Sequence, residues 1–168
     1  ILIPARAVGG DLYDFFVIAD ALWFIVADAA GKGVSAALFM AVTRTLFRAI
    51  AGTASGIGQV MERMNAELAR DNERQFFVTA IVGRLDLRSG QLTLASAGHP
   101  APLLIPASRR ARPMQEVETG VSLGIMETAA YPEARTYRRT VVQVDHGEGR
   151  DYVVDLFEAE GGAIQDYV

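Results

Sequence analysis

The chain has 168 residues, about half of them apolar, with a formal net charge of −4, which suffices for one sizeable core and predicts a single domain. It has no cysteine, so disulfides and thiolate metal sites are excluded, and any metal must be held by oxygen or by the two histidines, which favours magnesium or manganese. No apolar run approaches the ~20 residues of a membrane span and no signal-peptide pattern is present; the expected location is the cytoplasm, without membrane insertion.

In chain order, Leu12, Phe16, Val17 and Ile18 before Asp20, and Leu22 to Ala27 after it, predict two strands joined by a hairpin turn in "IADAL". Leu38, Ala41, Val42, Thr45, Leu46 and Ala49 then recur at three- and four-residue spacing, predicting a helix from Val34 to Ile50 that Gly52 ends. Ile57, Val60, Met61, Met64 and Leu68 predict a second helix, which stops in the polar "RDNERQ" and turns both methionines to the core. "FFVTAIVGRLDL", "RSG" and "QLTLASAG" read as a hairpin with Gly90 in its turn, and "APLLI" as a further short strand. "PASRRARPMQEVETG" reads as an exposed loop. It holds the chain's basic cluster, Arg109, Arg110 and Arg112 beside prolines, which is too small for a nucleic-acid surface. Strands, paired helices and strands again predict an α+β fold with antiparallel sheets.

Asp11 and Asp28 stand at the ends of the first two strands. Adjacent strands lie about 5 Å apart, so both carboxylates can share one cleft, as a hard cation requires. Asp beside Gly is also ordinary turn chemistry. Asp14, within its strand, reads as a structural hydrogen-bonding group. "AGKG" fails as a phosphate-binding loop, because Val26 and Gly33 occupy positions where that motif needs glycine and a hydroxyl residue.

"VGGDLYDFF", "ADAAGKGVSAALFMA", "FFVTAIVGRLDLRSGQLTLASAGHPAPLL" and "SLGI" occur in this order. Together they resemble the SpoIIE-like, or RsbU-like, branch of the PPM (protein phosphatase 2C) superfamily of metal-dependent serine/threonine phosphatases, over about Pro4 to Ile125. The resemblance implies an α-β-β-α sandwich of two mainly antiparallel sheets flanked by helices, with two Mn2+ or Mg2+ ions at one edge. Asp11 would be a bridging metal ligand, Asp28 the second, and the Ala29 carbonyl a main-chain ligand. Metal-activated water would attack phosphorus with no covalent enzyme intermediate. Gly31 and Gly33 would let the backbone turn beside the metals. His99 in "AGHP" is read as tying its turn, His146 as a loop residue and Thr79 as a partner of strand backbone.

The resemblance also implies a phosphorylated STAS-domain antagonist of an anti-sigma factor as substrate, and an upstream sensory or response-regulator domain; a homodimer is left open. Residues 1–168 are expected to form one such domain, lacking the first family strand and the usual C-terminal metal motifs. Asp155 near "EA" is the candidate third ligand, without the flanking Thr and Gly, and Asp166 is a weak substitute for the later paired-Asp motif. An alternative is a degenerate, catalytically inactive phosphatase-like binding module. A metal-dependent nucleotidyl cyclase is a third reading, without the base-recognition signals it would need.

Overall fold

The computed structural model describes residues 9–104, 112–114, 117–145 and 151–159. His146, Arg109, Arg110 and Asp166 lie outside them. The first strands are β1 (Asp11–Ile18) and β2 (Ala21–Ala29), followed by α1 (Val34–Ala51) and α2 (Ile57–Ala69). Next come β3 (Val78–Asp86), β4 (Gln91–Ala97), β5 (Leu103–Leu104), β6 (Arg112–Pro113), β7 (Thr119–Gly120), β8 (Ala134–Asp145) and β9 (Asp151–Ala159). A seven-stranded sheet runs β1-β2-β3-β4-β8-β9, with β7 pairing parallel to β4, while β5 and β6 form a separate ribbon. The α+β class is as expected from the alternation of elements.

The β1–β2 hairpin turns at Ala19 and Asp20, with Ala19 at φ 52°. Its register sets Asp11 opposite Asp28 and Ile18 opposite Ala21. Period-two alternation then divides β2 between two faces. Ala21, Trp23, Ile25, Ala27 and Ala29 are buried in the core, together with Val78, Ala80 and Val82 of β3 and the inner faces of α1 and α2. Asp28 lies on the other face with Val26, and across β1 with Asp11, Tyr13, Phe15 and Val17, all exposed.

The structure corrects three expectations. The buried face of α1 is Ala36, Met40, Thr43, Phe47 and Ile50, whereas Leu38 and Val42 are 63% and 51% exposed, and Ala41, Thr45 and Ala49 are exposed as well. The helix is apolar on more than one side, so two stripes satisfy the same spacing. By length and composition it could also cross a membrane, contrary to the sequence reading. Here its inner face packs on the sheet, and Arg44 and Arg48 reach Asp14 of β1. The proline- and arginine-rich segment is not simply an exposed loop. Arg112–Pro113 pairs with β5, and Met114 and Val117 are buried with Ile81 and Leu94 on the second face of the sheet.

The sheet-on-sheet sandwich implied by the resemblance is seen only in part. Among the described residues, α1 and α2 cover one face and the short segment around Met114 covers part of the other. The 119–127 stretch is fixed to α2 through buried Asn65, whose Oδ1 accepts from Gly124 N at 2.9 Å and whose Nδ2 donates to the Met126 carbonyl at 2.7 Å.

Candidate metal centre at one end of the sheet

Asp11 opens β1 and Asp28 nearly closes β2, so an antiparallel pair brings them together as direct cross-strand neighbours. Their carboxyl groups are within hydrogen-bonding reach of each other. No Lys or Arg among the described residues forms an ion pair with either. Burial pushes the Asp28 carboxyl above its ordinary range. The Asp11 charge and a hydrogen bond donated to Asp11 by the protonated Asp28 carboxyl push it the same way, and the charge of nearby His99 opposes them. Two carboxylates in contact without a basic partner cost electrostatic free energy that a divalent cation would relieve.

The main chain around the pair is built for close approach. A Cβ added at Gly10 would lie 3.4 Å from Asp28 Oδ1 and 3.2 Å from the Ala29 carbonyl oxygen, so these two oxygens border one space that Gly10 leaves free. The Ala29 N–H donates to the Gly10 carbonyl at 3.0 Å and the Ala30 N–H to the Phe77 carbonyl at 2.8 Å, fixing the chain as it leaves β2. Gly31 and Gly33 have φ of 108° and 83°, a region where a Cβ clashes with the backbone. They turn the chain from the sheet end into α1, which begins at Val34.

The structure thus brings together Asp11, Asp28, the Ala29 carbonyl, Thr79 and His99, the last two joined by a 3.0 Å contact between Thr79 Oγ1 and His99 Nδ1. Asp155 is elsewhere. It lies in β9, paired with Val141 of β8, so that β3, β4 and β8 separate its strand from β2. Four strand spacings amount to roughly 19 Å, and the structure does not bring it to the pair. Among the described residues no cluster of three or more His, Asp or Glu side chains forms a complete metal cage. Asp14 points to the helix side and is an ion-pair partner, 8% exposed, accepting from Arg48 Nη2 at 2.7 Å and Arg44 Nε at 3.1 Å. Two clefts lie away from the carboxylates. One, of about 420 Å3, is bordered by Ile18, Gly52, Arg84 and Glu133, and the other, of about 390 Å3, by Phe39, Val42, Leu68 and Phe76.

A family model described as Stage II sporulation protein E (SpoIIE) matches residues 19–146, well over half of the chain. The chain belongs to the SpoIIE family. Among solved structures, this SpoIIE-family chain is similar to the RsbU and RsbW domains of a Mycobacterium tuberculosis protein, with 26% identity and a TM-score of 0.65, over 82% of this chain and 40% of that one. It is also similar to the PP2C phosphatase domain of SpoIIE from Bacillus subtilis with a fragment of its regulatory domain (15% identity, TM-score 0.64, 80% and 42% covered). RsbX in complex with magnesium matches at 19% identity and a TM-score of 0.60, over 84% of this chain and 68% of that one. The SpoIIE-family chain therefore spans about two fifths of the length of the first two. No curated protein sequence matches it. The family match and these structures place it with the RsbU- and SpoIIE-like proteins, on a PP2C-type fold.

Proposed function

We propose that this domain is a metal-dependent protein serine/threonine phosphatase that hydrolyses phosphoserine or phosphothreonine on a regulatory protein, a STAS-domain anti-sigma factor antagonist being the substrate class in view. The observation that carries it is the cross-strand pair Asp11 and Asp28, in contact and without a basic partner, in a chain of this family. Asp11 and Asp28 would hold Mn2+ or Mg2+, and the Ala29 carbonyl would add a neutral oxygen, an all-oxygen set suited to hard cations. When bound, such ions supply Lewis-acid activation of water and neutralise charge on a phosphoryl group. The chain's own part is to keep the carboxylates aligned through the β1–β2 register, to keep the Gly10 space open, and to fix the exit from β2 through the Ala29 and Ala30 hydrogen bonds. Of the proteins compared, RsbX carries magnesium in its structure, which agrees with the same metal class here. An upstream sensory or response-regulator domain as controlling partner, and a cytoplasmic setting, belong to the same proposal.

The test is hydrolysis of a phosphoserine peptide with Mn2+ added, with EDTA added, and by Asp28→Asn. The proposal expects metal-dependent turnover, abolished by EDTA and reduced at least about tenfold by the substitution, since even outer-shell partners of metals are worth that much. Turnover unchanged in Asp28→Asn would contradict it. The position of Asp155 in β9 favours a second reading, a phosphatase-like module that binds its partner without hydrolysis. That reading expects partner binding without Mn2+-dependent turnover in the same assay.

A further inference from the structure

The main chain beside the carboxylate pair is held from both neighbouring strands. The Asp28 carbonyl and the Ala29 N–H belong to one planar peptide unit, so they turn together. On the β1 side its N–H donates to the Gly10 carbonyl at 3.0 Å. On the β3 side Thr79 stands opposite Asp28, and its Oγ1 donates to the Asp28 carbonyl at 3.4 Å. The next peptide unit carries the Ala29 carbonyl, and its N–H, that of Ala30, donates to the Phe77 carbonyl at 2.8 Å. A rotation of the Asp28–Ala29 unit would therefore displace the Asp28 side chain and the Ala29 carbonyl together.

The longest of these three bonds comes from Thr79. Its strength depends on how the hydroxyl is aimed, and a hydroxyl rotates unless its oxygen is also engaged. His99 engages it, with Nδ1 at 3.0 Å from Thr79 Oγ1. The hydroxyl has one proton, and a carbonyl can only accept, so that proton goes to Asp28 and the ring supplies the other: Nδ1–H donates to Oγ1.

The turn that carries His99 is anchored without its ring. Ala80, next to Thr79 in β3, bridges to Gly98. The Gly98 N–H donates to Thr119 Oγ1 at 2.7 Å and to the Gly120 carbonyl at 2.9 Å, and Ser96 Oγ donates to the His99 carbonyl at 3.3 Å. The half-buried imidazole is thus presented on a fixed backbone, and among the described residues its hydrogen-bond partner is Thr79. We infer that His99 is a positioning residue of the carboxylate site, a role that rests on the phosphatase reading above. It acts through Thr79, and the chain His99 Nδ1–H to Thr79 Oγ1–H to Asp28 carbonyl holds the peptide unit that joins the Asp28 carboxylate to the Ala29 carbonyl.

Mn2+ is the probe, titrated by calorimetry into wild type, His99→Ala, Thr79→Val, the double variant and His99→Asn. Each of the first two single variants is expected to bind Mn2+ roughly 10–100-fold more weakly, the usual effect of losing a group that orients a metal ligand. The double variant should lose no more than the larger single loss, because both changes break one chain. His99→Asn, which keeps a short side-chain N–H donor, recovers part of the loss. In the metal-free protein, long-range 1H–15N spectra are expected to show the His99 proton on Nδ1, and the Ala29 amide should exchange faster in His99→Ala and Thr79→Val than in wild type. Unchanged Mn2+ affinity in both of these variants, losses that add in the double variant, or a proton on Nε2 in wild type would overturn the positioning role alone. If His99→Ala does not fold, Thr79→Val and His99→Asn carry the comparison. A wild type that binds no Mn2+ overturns the phosphatase reading, and this role with it.

Discussion

Asp14 shows how a single carboxylate couples a strand to a helix. Arg48 reaches it with two guanidinium nitrogens, Arg44 adds a third contact, and Arg48 also lies 4.9 Å from the centre of the Phe16 ring. The Arg48 hydrogen bond holds the Asp14 carboxyl below its ordinary value, with burial opposing and Arg44 assisting. Because the folded value is lowered, the stabilisation is present above the unfolded value of about 4 and is lost as pH falls through the folded one. Asp14→Asn is expected to cost about 1–2 kcal/mol at pH 7, at the lower end because both guanidiniums are half-exposed. The difference from wild type should shrink as pH falls below the unfolded value of about 4, as denaturant unfolding at neutral and acid pH will show. A structural hydrogen-bonding role for Asp14 was legible in the sequence, but its partners, some thirty residues away, were not. The signal missed was the Arg44 and Arg48 pair at helical spacing on an otherwise apolar helix.

At the scale of elements, the β1–β2 hairpin, both helices and the β3–β4 hairpin follow from periodicity and from turn residues such as Gly90, whose φ is 74°. The inward face of α1 does not follow, because Leu38 and Val42 satisfy the same spacing as Met40 and Phe47. What decides between them is tertiary: Phe47 stacks with Phe16 at 5.1 Å and is fully buried, whereas nothing covers Leu38 among the described residues. Phe47→Ala is therefore expected to destabilise by about 3–5 kcal/mol, and Leu38→Ala by no more than about 0.5 kcal/mol. Equal losses in thermal or denaturant unfolding would return the core to the Leu38 face. Met40 of α1 and Met64 of α2 lie on the inner faces of the two helices. Both are buried in the core that the helices share with the sheet, so Met40→Ala should lower stability by about 2–5 kcal/mol, with Mn2+ affinity unchanged in the folded fraction if the helices are only core cover.

For the molecule as a whole, the pairing of Asp11 with Asp28 was legible because it needs only one hairpin in the right register, whereas Asp155 depended on the order of strands in the complete sheet, which no local pattern encodes. The segment from Pro106 to Gly120 misled for a related reason: its prolines and arginines mark a loop, yet Met114 and Val117 are drawn in by the apolar second face of β3 and β4. Long-range closure of the fold runs through Asn65, which ties α2 to the stretch after β7. Asn65→Ala would leave the Gly124 N–H and the Met126 carbonyl without that partner, and is expected to cost about 2–3 kcal/mol in unfolding experiments.

The central claim is that Asp11 and Asp28 together hold a divalent cation, and Mn2+ titration of the wild-type chain, Asp11→Asn and Asp28→Asn tests it most directly. The account predicts EDTA-reversible binding by wild type and an affinity at least about tenfold weaker in each variant. The metal-free unfolding midpoint should be unchanged or raised in both, because a like-charge contact is removed. Failure of the wild type to bind Mn2+, or equal binding by all three proteins, would contradict it.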